Sequence, residues 1–177
     1  MLNSHQRDLI DGLLYGVGGP RLTKSEFLAQ FGVQDGVALG VAILADAVAR
    51  HDTGELSDGL VVTFTFGVSE DHLPLLIDLL DVSWHVEKED IVSLLGEFHR
   101  PDLVDTLVHA MDHVPDYLEF EDGRSLFDKA ISAIRDTPGE YAEAVLVNLA
   151  DSTNPLIRDR AGKELARRRC GWRPGMP

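Results

Sequence analysis

The sequence predicts an all-α fold, and three observations support this prediction. Apolar residues recur with the period of about 3.6 residues of an α-helix, and no segment sustains the alternation of a half-buried strand. Aromatic residues make up only 7% of the chain, while Leu, Val, Ala and Ile supply most of the apolar surface, as is typical of helix-on-helix packing. Short breakers rich in Gly, Pro and Asp separate the periodic segments.

The first three predicted helices precede residue 52. The first runs from Asp8 to Tyr15 and ends in the Gly-rich segment 16–20, which we interpret as a linker. Thr23 with Glu26 three positions later forms the pattern of a capping box and opens the second helix. The third helix spans Asp35 to His51 and is apolar on nearly every side, so we expect it to be buried between its neighbours.

The segment from Gly59 to Phe66 carries conflicting signals. Val, Thr and Phe fill positions 61–66 and favour a strand. A single strand would have no pairing partner in a chain that otherwise indicates helices. We therefore predict a helix, capped by Ser57 and Asp58, and keep the strand as the alternative.

From residue 69 onward the helical pattern is regular. Helices are predicted at residues 71–80, 86–98, 101–111, 124–134, 139–149 and 156–168, with a longer loop around 115–119. Pro101 suits the first turn of its helix. The pairs Thr137-Pro138 and Asn154-Pro155 each predict a cap followed by a first-position proline.

Laid in antiparallel pairs, these helices form a repeat. The pairs start near residues 71, 101 and 138, which gives steps of 30 and 37 residues, and a divergent earlier pair makes about four in all. Periods of this size indicate an α-solenoid, in which each pair stacks on the next. We expect one helical-repeat domain over residues 1–169 and a tail over residues 170–177.

Charge is distributed unevenly along the chain. The net charge is −14, and the window from Glu70 to Asp122 holds fifteen of the thirty carboxylates against only Lys88 and Arg100. An acidic surface repels a phosphate backbone, so we do not expect nucleic-acid binding. A basic protein partner suits this charge better.

The composition also suggests a compartment. Cys170 is the single cysteine, so no intramolecular disulfide is possible, which is typical of a reducing environment. The polar segment 2–8 lacks the pattern of a signal peptide, and no apolar run approaches the length of about 18 residues of a membrane span. We expect a soluble cytoplasmic protein that does not bind membranes.

The helix pairs resemble HEAT repeats. Segments 141–150 and 154–161 fit that pattern, with Arg158 at the basic position early in the second helix and Lys88 and Lys129 as rough equivalents. The chain also resembles a group of small bacterial HEAT-repeat proteins over most of residues 22–169. The segments that carry this narrower resemblance are Lys24–Leu28, Phe64–Gly67, Glu70–His72, Trp84–His85, Glu89–Ile91 and Tyr117–Phe120.

This resemblance implies a function. Such proteins look like immunity or partner-binding modules of bacterial toxin systems, so the expected activity is non-catalytic binding of a toxin enzyme or another basic protein. The chain departs from the HEAT pattern at the polar Ser132. Its first helix pair also has no basic residue equivalent to Arg158, so the exact register of each repeat stays open. In a solenoid the second helices of successive pairs line the concave side, which would present the acidic residues together.

The candidate partner-binding residues combine acids with aromatic anchors. Trp and Tyr are the residues that most often anchor interfaces. An alternative is that Trp84 fills the gap between helix pairs and that acids such as Glu89 only stabilise a helix start. The full set is Trp84, His85, Glu87, Glu89, Asp90, Glu97, Tyr117, Glu119 and Asp122.

Signs of catalysis are weak. His109 and His113 have the spacing of two metal ligands on one helix, but no glutamate lies between them as in the metallohydrolase pattern. We therefore predict no catalytic residue, no metal and no cofactor, and keep a metal-dependent hydrolase as a remote alternative. A nearer alternative is a scaffold protein that self-associates through its basic segment, Arg167 to Arg169.

Overall fold

The computed structural model of the chain describes residues 1–14 and 21–171, and every regular element in these residues is helical. This confirms the all-α prediction. Within the same residues, 3₁₀ helices lie at Glu70–His72, Pro101–Leu103 and Asp116–Glu121. The α-helices are α1 (Ser4–Leu14), α2 (Lys24–Phe31), α3 (Gly36–Arg50), α4 (Thr53–Phe66), α5 (Leu73–Leu79), α6 (Lys88–Gly96), α7 (Val104–His109), α8 (Arg124–Asp136), α9 (Glu140–Ala150) and α10 (Pro155–Arg169).

The chain divides into two compact units, Met1–Glu87 and Lys88–Pro177. The first unit contains α1 to α5 and the second contains α6 to α10. The single domain expected over residues 1–169 stays a prediction. The linker at residues 16–20 and most of the expected tail, residues 172–177, lie outside the described residues.

Polar caps fix three of the predicted helix starts. Thr23 and Glu26 form the expected capping box, with each side chain accepting the backbone N–H of the other at 3.2 Å and 2.9 Å. Asp35 caps α3, and Asn154 caps α10 ahead of Pro155. These caps satisfy amide groups that the first turn of a helix leaves without an intrahelical acceptor.

Residues 59–66 are helical, as predicted, but their helix starts earlier than expected. Asp52 caps α4 by accepting the N–H of Glu55 at 3.0 Å. The prediction of a cap at Ser57 and Asp58 is therefore wrong. The β-forming run is helical because tertiary packing against α3 outweighs its local preference.

A second predicted helix start is also wrong. The Thr137 hydroxyl donates to the carbonyl of Ala133 at 2.9 Å, so it serves the end of α8 rather than the start of α9. Helix α9 begins at Glu140 after Gly139, whose φ of 102° is a conformation that only glycine adopts easily. Pro138 consequently lies in the connection and not in the first turn.

Close contacts between α3 and α4 organise the first unit. A Cβ at Gly59 would lie 2.8 Å from the Leu44 side chain, and one at Gly40 would lie 2.8 Å from the Thr63 hydroxyl. The helices pack this closely because both positions lack a side chain. The buried cluster beside them consists of Leu9, Ile10, Leu13, Phe27, Ile43 and Val62.

Helix α8 is the centre of the second unit. It packs against both α6 and α10, and α9 packs against α10. Its apolar stripe is fully buried at Leu126, Ala130, Ile131 and Ile134. Helix α8 therefore links α6 and α10, the alternate helices of this unit.

No single helix in residues 1–14 and 21–171 is long and apolar enough to span a membrane. Helices α2 and α3 satisfy the length and composition criterion only when taken together, and a bend of 59° separates them.

Candidate functional site

The start of α6 is fastened to the segment that was expected to be a loop. The backbone N–H of Lys88 donates to the Tyr117 hydroxyl at 3.0 Å. The Lys88 ammonium donates to the carbonyl of His113 at 3.2 Å, and the residue is 9% exposed. Tyr117, predicted as an interface anchor, is half-buried, and its hydroxyl connects the 3₁₀ helix to the start of α6.

The 3₁₀ helix Asp116–Glu121 has three different faces. Residues three positions apart lie on one side of a 3₁₀ helix, because the helix has three residues per turn. Leu118, 3% exposed, and Glu121 face the protein, and Glu121 accepts the N–H of Ser125 at 3.2 Å at the start of α8. Asp116 and Glu119 share a second, exposed face. Tyr117 and Phe120 share the third.

The backbone after this 3₁₀ helix turns sharply. Asp122 and Gly123 both have left-handed backbones, with φ of 54° and 71°. The N–H of Gly123 donates to the carbonyl of Leu118 at 3.1 Å, which closes the turn. A Cβ at Gly123 would lie 2.6 Å from a Val114 methyl group, so the close packing requires glycine. The segment is therefore held at both ends.

Three carboxylates of this segment point into solvent. Asp116, Glu119 and Asp122 are exposed, and none of them forms a side-chain hydrogen bond or ion pair with another described residue. Glu119 and Asp122 belong to the predicted binding set. We name Asp116, Glu119 and Asp122 the acidic triad.

Other acids of the second unit already have partners. Asp102 accepts from Arg100 at 2.6 Å, which lowers the pKa of its carboxyl. Asp105 accepts from the Tyr141 hydroxyl at 2.5 Å, and this bond raises the pKa of Tyr141. The free negative charge is therefore smaller than the composition indicates, which makes the acidic triad more distinctive.

The predicted acids of α6 lie in a mixed environment. Asp90 pairs with Lys129 at 2.7 Å, whereas Glu89 is half-buried and Glu97 is exposed, both without a side-chain partner among the described residues. A groove of about 310 Å³ runs beside Glu97. Lys129 and Arg160 line it together with acids, so this face does not have the single sign that the sequence suggested.

Three predicted binding residues belong to the first unit. The Trp84 ring stacks on the His51 ring, with centroids 5.2 Å apart, and is half-buried. Glu87 accepts a hydrogen bond from the Ser57 hydroxyl. These contacts support a packing role for Trp84, although part of its ring remains accessible.

His85 is not available at the surface. It is 6% exposed, and its Nε2 lies 2.9 Å from the carbonyl of Leu79. Its Nδ1 accepts the N–H of Glu87 at 3.1 Å. His85 therefore offers little surface to a partner, because both ring nitrogens face the backbone of the turn that follows α5.

The two histidines considered as metal ligands do not share a helix. Helix α7 ends at His109, and the His109 ring lies 3.3 Å from the Asp112 carboxylate. In the part of the chain that the structure describes, no group of three or more His, Cys, Asp or Glu side chains is arranged to hold a metal ion.

The comparisons with known proteins give no family. No protein-family model matches the chain, and neither the curated proteins nor the solved structures contain a match. The site must therefore be interpreted from its own geometry.

One surface residue was missed by the sequence reasoning. Phe120 is 85% exposed, although it lies between the buried Leu118 and a glutamate that binds the next helix. The sequence Asp-Tyr-Leu-Glu-Phe-Glu does carry the signal, since a period of three separates its inward, acidic and aromatic faces. The sequence analysis predicts a loop around residues 115–119, and a loop has no regular period from which the exposed side can be assigned.

Proposed function

We propose that this protein is a non-catalytic binding module that holds a basic protein partner through the acidic triad. The observation that carries this proposal is that Asp116, Glu119 and Asp122 have no side-chain partner among the described residues, on a backbone that is held at both ends. Free carboxylates attract a basic surface during encounter. A fixed backbone reduces the entropy that binding must overcome.

We further propose that the partner is a cationic toxin enzyme and that this chain is its cytoplasmic immunity-type inhibitor in a bacterium. The support is the resemblance to small HEAT-repeat proteins, together with the packing of α8 against α6 and α10, since alternate helices also contact each other in a helical repeat. In a HEAT-like solenoid of about four pairs, these helices would line the concave face, whose acids lie beside Lys129 and Arg160. Glu97 would lie on it.

The alternative of a self-associating scaffold receives less support. Arg168 donates to the carbonyls of Arg135, Thr137 and Gly139, and Arg169 pairs with Glu143. These cations are engaged within the second unit. Pairing with the acidic surface of another copy would have to displace those contacts.

If the neighbouring gene encodes a basic secreted protein, the affinity of this chain for that protein tests the proposal. Affinity should fall as salt rises, because salt screens exposed charges. The triple variant Asp116→Asn/Glu119→Gln/Asp122→Asn should bind roughly tenfold more weakly, as three exposed ion pairs of up to about 1 kcal/mol each are lost.

A matched variant controls for net charge. Asp8, Asp11 and Glu140 are exposed acids without a side-chain partner among the described residues. Neutralising them removes the same charge from elsewhere and should leave the affinity within about twofold of the wild type. Equal losses in the two triple variants, or an affinity that does not depend on salt, would refute binding through the acidic triad.

A further inference from the structure

We propose that Phe120 is the apolar anchor of this binding surface and that the partner presents a basic amphipathic segment to it. This inference rests on the proposed function and adds the chemistry of the partner. Phe120 exposes 85% of its surface, the largest fraction among the exposed aromatic residues described. Exposing a large ring to water is unfavourable, and aromatic rings are enriched at the centres of interfaces.

The backbone on both sides of Phe120 is held by contacts of the neighbouring residues. On one side, Tyr117 is tied to α6 through the N–H of Lys88, and the neighbouring Leu118 is buried. On the other side, Glu121 receives hydrogen bonds from both the N–H and the hydroxyl of Ser125. A held backbone reduces the conformational entropy that binding must overcome at this position.

The acidic residues next to Phe120 indicate the chemistry of the partner. Asp116 and Glu119 occupy the adjacent face of the same 3₁₀ helix, and Asp122 follows directly after it. The surface thus presents one aromatic face beside one acidic face. The complementary segment has Leu-like side chains on one side and Arg or Lys on the other. An arginine can also stack on the Phe120 ring.

A second copy of the chain would be a poor occupant. The net charge is −14, and Asp116, Glu119 and Asp122, close to Phe120 in sequence, have no side-chain partner among the described residues, so two copies would repel each other at this surface. A basic segment relieves that repulsion and covers the ring in the same step. The charge pattern therefore favours a basic partner over self-association.

Defined peptides test this inference on the full chain. The probe is a short amphipathic helical peptide of leucine and arginine, and the two controls replace all leucines by serine or all arginines by glutamine. We expect measurable binding of the leucine-arginine peptide and at least tenfold weaker binding of both controls. Phe120→Ala should weaken binding of the probe about tenfold or more, as for an anchor residue, and Phe120→Trp should retain it.

Two further measurements separate binding from folding. Thermal unfolding of Phe120→Ala should match the wild type, because the ring buries little surface in the free protein. Phe64→Ala provides a matched control, since Phe64 is 48% exposed in α4 of the first unit. Its affinity for the peptide should equal that of the wild type.

Three other outcomes would contradict the inference. If Phe120→Ala binds the probe normally while the acidic-triad variant does not, the proposed function stands and the anchor is wrong. If the glutamine peptide binds as tightly as the probe, or no peptide binds, the basic amphipathic partner is wrong. If sedimentation shows dimers that Phe120→Ala disperses, the occupant is a second copy.

Discussion

The guanidinium of Arg135 donates to the carboxylate of Glu164 at 2.6 Å in the interior of the second unit. The Glu164 side chain has no exposed surface, and that of Arg135 is 8% exposed. Arg160 and Arg167 approach the other oxygen of the same carboxylate at 3.1 Å and 2.6 Å. One buried acid on α10 therefore joins that helix to α8.

Removing this carboxylate should destabilise the protein strongly. Glu164→Ala removes the inter-helix carboxylate from the buried guanidinium of Arg135, which also contacts the adjacent Asp136. Loss of one partner of a buried ion pair typically costs about 3–5 kcal/mol. We expect a decrease of that size in the free energy of unfolding, measured with urea.

The double variant Arg135→Met/Glu164→Leu controls for this loss. It removes both charges and fills their space with apolar groups, so it should be more stable than Glu164→Ala. A double variant as unstable as the single one would show that packing, and not the uncompensated charge, determines the loss.

Arg168 should contribute more to stability than its neighbour Arg169. Its guanidinium donates to the carbonyls of Arg135, Thr137 and Gly139 at 2.6–2.7 Å, at the end of α8 and in the following connection. Hydrogen bonds from a charged donor contribute about 1.5–3 kcal/mol. Arg168→Ala should lower the free energy of unfolding by about that amount.

Arg169→Ala serves as the comparison for Arg168→Ala. Its side chain is 57% exposed and pairs with Glu143 at 2.9 Å. Exposed pairs contribute about 0–1 kcal/mol, so this variant should unfold almost like the wild type in urea. Equal losses in the two variants would contradict a special role for the carbonyl contacts.

The sequence could predict these elements but not these contacts. The apolar period predicts α8 and α10 because it depends only on neighbouring positions. The partnership of Arg135 with Glu164 spans 29 residues, and that of Lys129 with Asp90 spans 39. Such pairs form only when the helices pack together, and they neutralise carboxylates that the composition counts as free. The composition therefore overestimates the unpaired acidic charge.

Burial was the second property that the sequence could not provide. His85 lies beside the half-exposed Trp84 and in an acidic window, yet it faces inward to bind the backbone of a turn. Phe120 lies in an equally acidic window and faces outward. The outward position of Phe120 follows from the period of three of its 3₁₀ helix, whereas the prediction of a loop around residues 115–119 assigns no period.

Gly96 should not tolerate alanine, although alanine favours helices. A Cβ at Gly96 would lie 2.7 Å from the Cβ of Ala133, which is far inside contact distance. Overpacking of a tight contact costs about 1–3 kcal/mol, more than the gain in helix propensity of up to about 1 kcal/mol. Gly96→Ala should therefore lower the urea midpoint.

Two variants check the explanation for Gly96. Gly162→Ala in α10 has no atom within 4 Å of the new Cβ, so it should raise the free energy of unfolding by about 0.5–1 kcal/mol. Combining Gly96→Ala with Ala133→Gly exchanges the two side chains and should recover most of the loss. A double variant no better than Gly96→Ala would exclude the steric explanation.

His72 is a buried base in the first unit. The residue has no exposed surface, and its Nδ1 accepts the backbone N–H of Ser69 at 3.0 Å. Its Nε2 has no hydrogen-bond partner among the described residues and faces the position where Gly40 lacks a side chain. Burial lowers the pKa of His72 below its ordinary value of 6.5.

Acid should therefore destabilise the first unit through His72. The unfolded chain takes up a proton near pH 6.5, whereas the folded chain resists protonation, so stability present above pH 6.5 is lost as the pH falls through the lower pKa of the folded state. Asparagine at this position can still accept the Ser69 N–H but does not titrate. Urea unfolding at pH 7.5 and pH 5.5 should show a larger decrease for the wild type than for His72→Asn. The exposed His5→Asn should behave like the wild type, and equal slopes in all three proteins would exclude His72 as the source.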